Sequence, residues 1–547
     1  MRGFRRSVAS RSDSPHCAFV NHLNRYSRGR GARGAGQGIV MSLGGLLVGR
    51  GLVTLDDIDA ALERQKAEGG RLGDNLIALG LLTAEQLLSV IHSTPSIPMA
   101  ISETGIPQRS LLNLLLKFMH LESCETVSEL AGHMKLPNRV IQQLLDDAIQ
   151  QRLLQALGSV RGGITPSIRY SLSDQGRAAA KDALDQNLYL GPAPVCLSAY
   201  QEQVQRQRIA NEMLDADTLR KGFHGLVVPE HYLRKLLPAI NAGRTVLLFG
   251  PPGNGKTTLA TRIATLFKDV VYVPYAVEVA GQIIKIFDAG LHKPLVSEAE
   301  AASLLGKGGL QRDRFDERWV ACSRPVAIAG GELTLEMLDL RHNPDTKFYD
   351  APLHVKALNG MLLIDDFGRQ KFNPGDLLNR WIVPMENQVD YLKLNTGTTF
   401  ALPFDELLVF STNLQPSDLM DAAFMRRIPY KIKLFAPTRE EYRQLFEDIA
   451  YVYSLELADD VFDFVVGRLT ENGKFGLAYY QPKFICEQVL ETCKCFNLRP
   501  RLTKELAAEA LANLYFDIED AKDSQAAPIP SRTREIGSIA VATPESL

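Results

Sequence analysis

Gly250, Pro251, Pro252, Gly253, Asn254, Gly255, Lys256 and Thr257 follow directly on the apolar run Val246-Leu247-Leu248-Phe249. A buried strand therefore empties into a glycine-rich turn and then a helix, which is the order a triphosphate requires. Backbone N–H groups in a turn without bulky side chains, the positive end of the next helix and the Lys256 ammonium can all face the β- and γ-phosphates. Thr257 places its hydroxyl where Mg²⁺ would sit, and Thr258 completes the set of candidate nucleotide-binding residues. The full GxxxxGK[ST] pattern between strand and helix is far more specific than a bare glycine-rich turn. It predicts binding of ATP or GTP.

Hydrolysis needs more: an acid to hold Mg²⁺, a group to orient water, and a cation to answer charge developing on the γ-phosphate. Met361-Leu362-Leu363-Ile364 reads as a buried strand ending in Asp365 and Asp366. Asp365 is the candidate for holding Mg²⁺ through its water shell, and Asp366 for polarising the attacking water. A second apolar strand, Leu407-Leu408-Val409-Phe410, ends in Ser411-Thr412-Asn413, and Asn413 can sit between Asp366 and the γ-phosphate. Each residue alone could be a helix cap. Three polar strand ends in this order point to a ligand, because α/β sheets bind at the carboxyl ends of their strands.

The elements that must position these residues belong to a long chain. At 547 residues it exceeds what one core supports, and three or four domains are expected. Apolar residues make up 45% and charged residues 23%, as in a soluble globular protein. With 61 basic against 63 acidic residues, the net charge of -2 does not demand a nucleic-acid partner. Seven dispersed cysteines form no disulfide framework, so a reducing, cytoplasmic setting is expected. No apolar run reaches the ~18 residues of a membrane span. Residues 1–40 hold eight arginines against one acid, Asp13, and read as a disordered arm unless translation begins at Met41. Residues 526–547 read as a disordered tail.

Residues 42–65 and 71–94 repeat at a 29-residue offset, pairing Leu43 with Leu72, Gly44 with Gly73, Leu47 with Leu76, Gly51 with Gly80 and Thr54 with Thr83. Each unit predicts a short apolar helix ended by glycine, then a helix capped by threonine. The two units resemble the motif RLGxxLxxxGxxxxxxLxxxLxxQ, found twice, five residues apart, in the MshEN-type N-terminal domains of type II secretion and pilus-extension ATPases. That resemblance implies a cyclic di-GMP site. Leu43, Gly44, Leu47, Gly51, Ile58, Leu62 and Gln65 match in the first unit, and Arg71, Leu72, Gly73, Leu76, Gly80, Leu87 and Ile91 in the second. Arg71 is the most valuable of them, as a cation able to stack on a guanine. Ser42 stands where the motif has arginine, and Thr94 where it has glutamine. A small helical docking module is the alternative for residues 41–100.

Helical periodicity runs through residues 110–120, from residue 126, and through residues 138–149, followed by strand-like stretches at 153–157 and 168–172. Three helices and a two-strand wing over residues 104–185 resemble a winged helix. Arg161, Arg169 and Arg177 could touch a nucleic-acid backbone, but Asp146 and Asp147 on the third helix weaken that reading, and protein docking is the alternative. Residues 187–195 predict a strap, and residues 200–219 a polar helix, within a linker over 186–221.

From about residue 222 to 520 the chain resembles the AAA+ superfamily, with Walker A at the glycine-rich turn, Walker B at Asp365 and Asp366, and sensor 1 at Asn413. The resemblance implies an arginine finger at Arg427, with Arg426 close enough to exchange roles, reaching into a neighbouring copy's site. It further implies a sensor 2 at Arg501, at the start of a helix over 502–515. The fold expected is α/β: a P-loop core over 222–435 with a helical lid over 436–525, behind the all-α repeat domain and the winged helix. The family usually has Asp-Glu where this chain has Asp365-Asp366, so the water-facing carboxylate is one methylene shorter. Slow turnover, or an ATP-gated scaffold, follows from that departure.

Residues 390–404 read as a β-hairpin just before the Asn413 strand. Placed there, it resembles the pre-sensor-1 hairpin of MoxR-like ATPases, which form rings, usually hexameric, and remodel protein partners. Residues 330–340 predict either a second loop facing the ring pore or a capped surface helix. Asp288 with His292, and Cys486 with Cys493 and Cys495, lack the further ligands of a metal site and are expected to pack or cap. An oligomeric Mg²⁺-dependent ATPase with an unknown protein client and cyclic di-GMP control is the expected function; the alternatives are the scaffold and a nucleic-acid-associated ATPase.

Overall fold

The computed structural model describes Leu47 and residues 52–69, 72–84, 86–87, 94–160, 167–212, 214–295, 315–420, 422–470 and 476–514. Leu43, Gly44, Gly51, Arg71, Ile91, the arm and the tail lie outside these. The chain divides into two compact units, Met1–Phe435 and Ala436–Leu547. Among the described residues no helix is long and apolar enough to cross a membrane.

At the front, Thr54 caps the helix Leu55–Glu68 by accepting from Asp57 N at 3.2 Å, while the Asp57 carboxylate accepts from Thr54 N at 2.8 Å. Thr83 and Gln86 repeat the device at 3.2 and 2.8 Å. The helix Leu72–Ala78 ends at Gly80, whose φ of +71° lets Leu81 N reach Leu76 O. Leu47 and Leu76, at matching repeat positions, are both fully buried.

Helices Gln108–Leu121, Val127–Met134 and Asn138–Gln150 share an apolar core with the hairpin of β1 (Leu154–Val160) and β2 (Ser167–Leu172). A further helix, Asp174–Gln186, packs on the first of these; its Ser173 cap accepts from Gly176 N. Gly176 must lack a side chain, since a Cβ would lie 2.0 Å from Leu153 O. Arg169 pairs with Glu125 and Arg177 with Asp174. The strap begins at Asn187, whose backbone and side-chain oxygens both accept from Lys117 Nζ at 2.7 Å. It ends as β3 (Val195–Cys196). The sequence expectation of one helix over 200–219 needs correction. Helix Leu197–Arg206 stops because the Gln207 amide clasps the Tyr272 backbone and Asp405 takes Ile209 N, and Asp215 caps a new helix at Ala216–Gly222.

The remaining strands are β4 (Val246–Phe249), β5 (Val270–Pro274), β6 (Ala276–Val279), β7 (Gln282–Lys285), β8 (Trp319–Ser323), β9 (Val326–Ala329), β10 (Arg341–Asn343), β11 (Phe348–Asp350), β12 (Met361–Ile364), β13 (Val389–Lys393), β14 (Thr399–Pro403), β15 (Leu407–Thr412) and β16 (Tyr430–Lys433). One sheet runs β16-β4-β15-β12-β9 and is parallel throughout. Its central strands are almost wholly buried, which accounts for their continuous apolar runs. A second sheet runs β10-β11-β7-β6-β3, so the strap supplies its edge.

The hairpin β13–β14 buries Leu392, Phe400 and Leu402 in a cluster that includes Val277 of β6 and Ile284 of β7, and Gln201 donates to Ala401 O. Its root is held by Asp390: burial pushes this carboxyl up, but His354 and Arg380 outweigh that and hold it at about 2. In residues 330–340 only a short turn, Leu335–Leu338, is helical, and Leu333 and Leu338 are buried.

Below the parallel sheet, buried Arg324 donates to Gln207 O and Asn359 O and pairs with Glu212 at 2.9 Å. Arg324→Met takes the donor from both carbonyls and the cation from a carboxylate that then keeps only the Lys268 and Asp269 amides, so the urea midpoint should fall by the equivalent of about 3–5 kcal/mol. An unchanged midpoint would show that water replaces the guanidinium there.

The second unit is helical over its described residues, with helices Arg439–Val452, Asp459–Thr470, Gln481–Cys495 and Lys504–Leu514 around Tyr442, Phe446, Phe462 and Val465. Cys486 and Cys493 are core residues, but Cys495 is exposed. Arg501 is exposed and precedes its helix rather than starting it. Thr503 accepts from Leu506 N, which sets the helix start at Lys504.

Candidate functional site

The register brings the three polar strand ends to one edge. Thr412 lies beside Phe249 and Ile364 beside Phe410, so Gly250 and Asn413 leave the sheet side by side and Asp365 leaves it next to Ser411. Gly250 adopts φ +141°, and a Cβ on it would meet Leu434 O at 2.2 Å. Gly255, at φ +74°, turns the chain into the helix Lys256–Ala264. A strand, a left-handed glycine and a helix start thus point backbone N–H groups at one spot.

Lys256 is only 6% exposed and folds back on the loop, donating to Gly250 O at 3.0 Å and Pro251 O at 2.8 Å. Burial lowers its pKa, opposed by Asp365 and Asp366. Thr257 Oγ1 donates to Asp365 Oδ2 at 2.8 Å, and Asn413 Nδ2 to Asp366 Oδ1 at 3.0 Å. The four residues singled out from separate segments therefore form one contiguous polar group.

The arrangement fits a Mg²⁺-triphosphate on two counts. Asn254 is 3% exposed, yet neither polar atom of its side chain has a partner. A hydroxyl and two carboxylates form a hard oxygen donor set next to a lysine.

One participant was not legible from spacing. Gln370, 9% exposed, accepts from Gly368 N at 2.9 Å and donates to Asp365 O at 3.0 Å, bracing the turn that carries both carboxylates.

Arg426 and Arg427 are not brought to this loop. They line a cleft of about 610 Å³ with Arg244, Thr245, Glu386 and Tyr430, at the amino ends of β4 and β16 and so at the opposite edge of the sheet. Arg427 Nε pairs with Glu386 at 2.7 Å and its guanidinium lies over the Phe424 ring. Arg501 belongs to the second unit. Asp288 pairs with Lys356, and its backbone N–H donates to His292 Nδ1, a packing role.

The first unit thus carries a parallel α/β sheet with a glycine-rich turn after β4, and the second unit is helical over its described residues. Residues 438–513 match a family model described as a domain of unknown function, DUF8689. No curated protein matches the sequence. Among solved structures the chain is similar to Thermotoga maritima RuvB, at 16% identity and a TM-score of 0.31, covering 53% of this chain and 71% of that one. It is also similar to NtrX from Brucella abortus, at 14% identity and a TM-score of 0.31 over 65% and 66% of the two chains. Domain III of the Thermotoga maritima replication initiation protein DnaA shows 12% identity and a TM-score of 0.30, over 54% and 97%.

Proposed function

We propose that this chain is a Mg²⁺-dependent ATPase of the AAA+ kind that assembles with copies of itself into a ring and remodels a protein partner. The observation that supports it most is the meeting of Lys256, Thr257, Asp365, Asp366 and Asn413 at one sheet edge. In this reading Lys256 and the loop amides bind the β- and γ-phosphates, and Thr257 and Asp365 hold Mg²⁺, which neutralises phosphate charge when bound. Asp366, steadied by Asn413, accepts the proton-side contact of the attacking water. Arg427 of one copy serves the neighbouring copy's triphosphate; its place at the far edge of the sheet supports action in trans. Arg501 acts as the lid's sensor. Steady-state phosphate release should saturate with ATP and stop on Mg²⁺ removal; release indifferent to Mg²⁺ would contradict the assignment.

The front repeat takes cyclic di-GMP as its regulatory ligand in this proposal. Its support is the internal symmetry: matched threonine caps and matched buried leucines, Leu47 and Leu76. Calorimetry should show micromolar or tighter binding to the full chain, lost in Arg71→Ala. Absence of heat with wild type would leave residues 41–100 as a docking module. A nucleic-acid role for residues 104–185 has less behind it, because Arg169 and Arg177 already pair with Glu125 and Asp174.

A further inference from the structure

After β12 the chain turns sharply at the carboxylate that faces water. Asp366 has φ +46°, a left-handed conformation uncommon for a residue with a Cβ, and Gly368 follows at φ +99°. Such conformations persist only where the surroundings over-determine them. Here the bracing comes from both neighbouring strands. On one side Phe367 N donates to Ser411 O at 2.7 Å and Thr412 Oγ1 to Phe367 O at 2.7 Å, tying the turn to β15. On the other side a single side chain does the work of a strand. Gln370 Oε1 accepts from Gly368 N, while Nε2 donates to Asp365 O at 3.0 Å, Gly330 O at 3.2 Å and Asp366 O at 3.4 Å. Gly330 follows β9, so the amide links the ends of β9 and β12 across the turn.

We propose that Gln370 is a positioning residue: its side-chain amide holds Asp366 left-handed, and this backbone geometry aims a carboxylate one methylene shorter than glutamate at the attacking water. The proposal rests on the ATPase reading above. It explains why Asp366 reaches Asn413 Nδ2 at 3.0 Å despite its short side chain. It also predicts that Asp366→Glu, launched from the same turn, overshoots and slows turnover.

The test is a double-mutant cycle in kcat on the full chain, with affinity for a fluorescent ATP analogue measured alongside. Gln370→Leu should lower kcat by about ten- to a hundredfold, the scale of a small misplacement, with analogue affinity unchanged. Gln370→Glu, which keeps the acceptor for Gly368 N but loses the donor, should do the same and decides the matter if the leucine variant fails to fold. In an Asp366→Asn background neither substitution should slow turnover further, because the residue through which Gln370 acts is already disabled. Fully multiplicative losses, unchanged kcat, or a faster Asp366→Glu enzyme would overturn the proposal while leaving the ATPase reading intact. Wild type no faster than Lys256→Ala would remove both.

Discussion

Lys256→Ala is expected to lose ATP retention by roughly a hundredfold and to reduce Mg²⁺-dependent phosphate release to background. The ammonium is the one cation buried within the phosphate loop, and a charge-assisted hydrogen bond of this type contributes about 1.5–3 kcal/mol. In the free loop Lys256 satisfies the carbonyls of Gly250 and Pro251. Its removal therefore relaxes the loop as well as deleting the charge, and both effects act against the nucleotide. The melting temperature should move little by comparison. Filter retention of labelled ATP checks the binding half, and retention equal to wild type would mean that the turn after β4 is an ordinary strand-to-helix connection.

Arg427→Ala should lower turnover by about a thousandfold, the low end of what an arginine finger supplies, while leaving ATP binding intact. The reason is spatial. Arg427 stands at the amino ends of the strands with Glu386, whereas Gly250 and Asn413 stand at the carboxyl ends, so Arg427 cannot serve its own loop. Two inactive variants should then rescue each other. Mixed Lys256→Ala and Arg427→Ala chains place an intact loop opposite an intact arginine at some interfaces, and phosphate release should reappear. No recovery after co-refolding, with both variants shown to assemble, would exclude a site shared between copies.

The parts of the site made by adjacent residues were readable. Gly250 to Thr257 announce strand, turn and helix in eight consecutive positions, and Thr54 with Asp57 announces a cap three residues long. The hairpin at β13 and β14 was likewise visible, because alternation and a glycine turn are local signals. What stayed hidden depends on partners distant in sequence. Helix Leu197–Arg206 stops where Tyr272 and Asp405 intervene, and nothing within the helix says so. Helix Asp174–Gln186 has no counterpart in the sequence reading; the side chain missing from Gly176 in its first turn is required by Leu153 O, a contact that no local pattern announces. Gln370 carries no motif at all. Its role exists only because β9 and β12 are neighbours, which spacing along the chain does not disclose.

The strap that becomes β3 has a bearing on how this molecule can be dissected. Removing everything before residue 197 would strip β6 of its parallel neighbour and uncover a row of unpaired amides and carbonyls, the kind of border to which other chains adhere. The front of the chain is thus stitched into the body, and the shortest well-behaved fragment must carry the stitch with it.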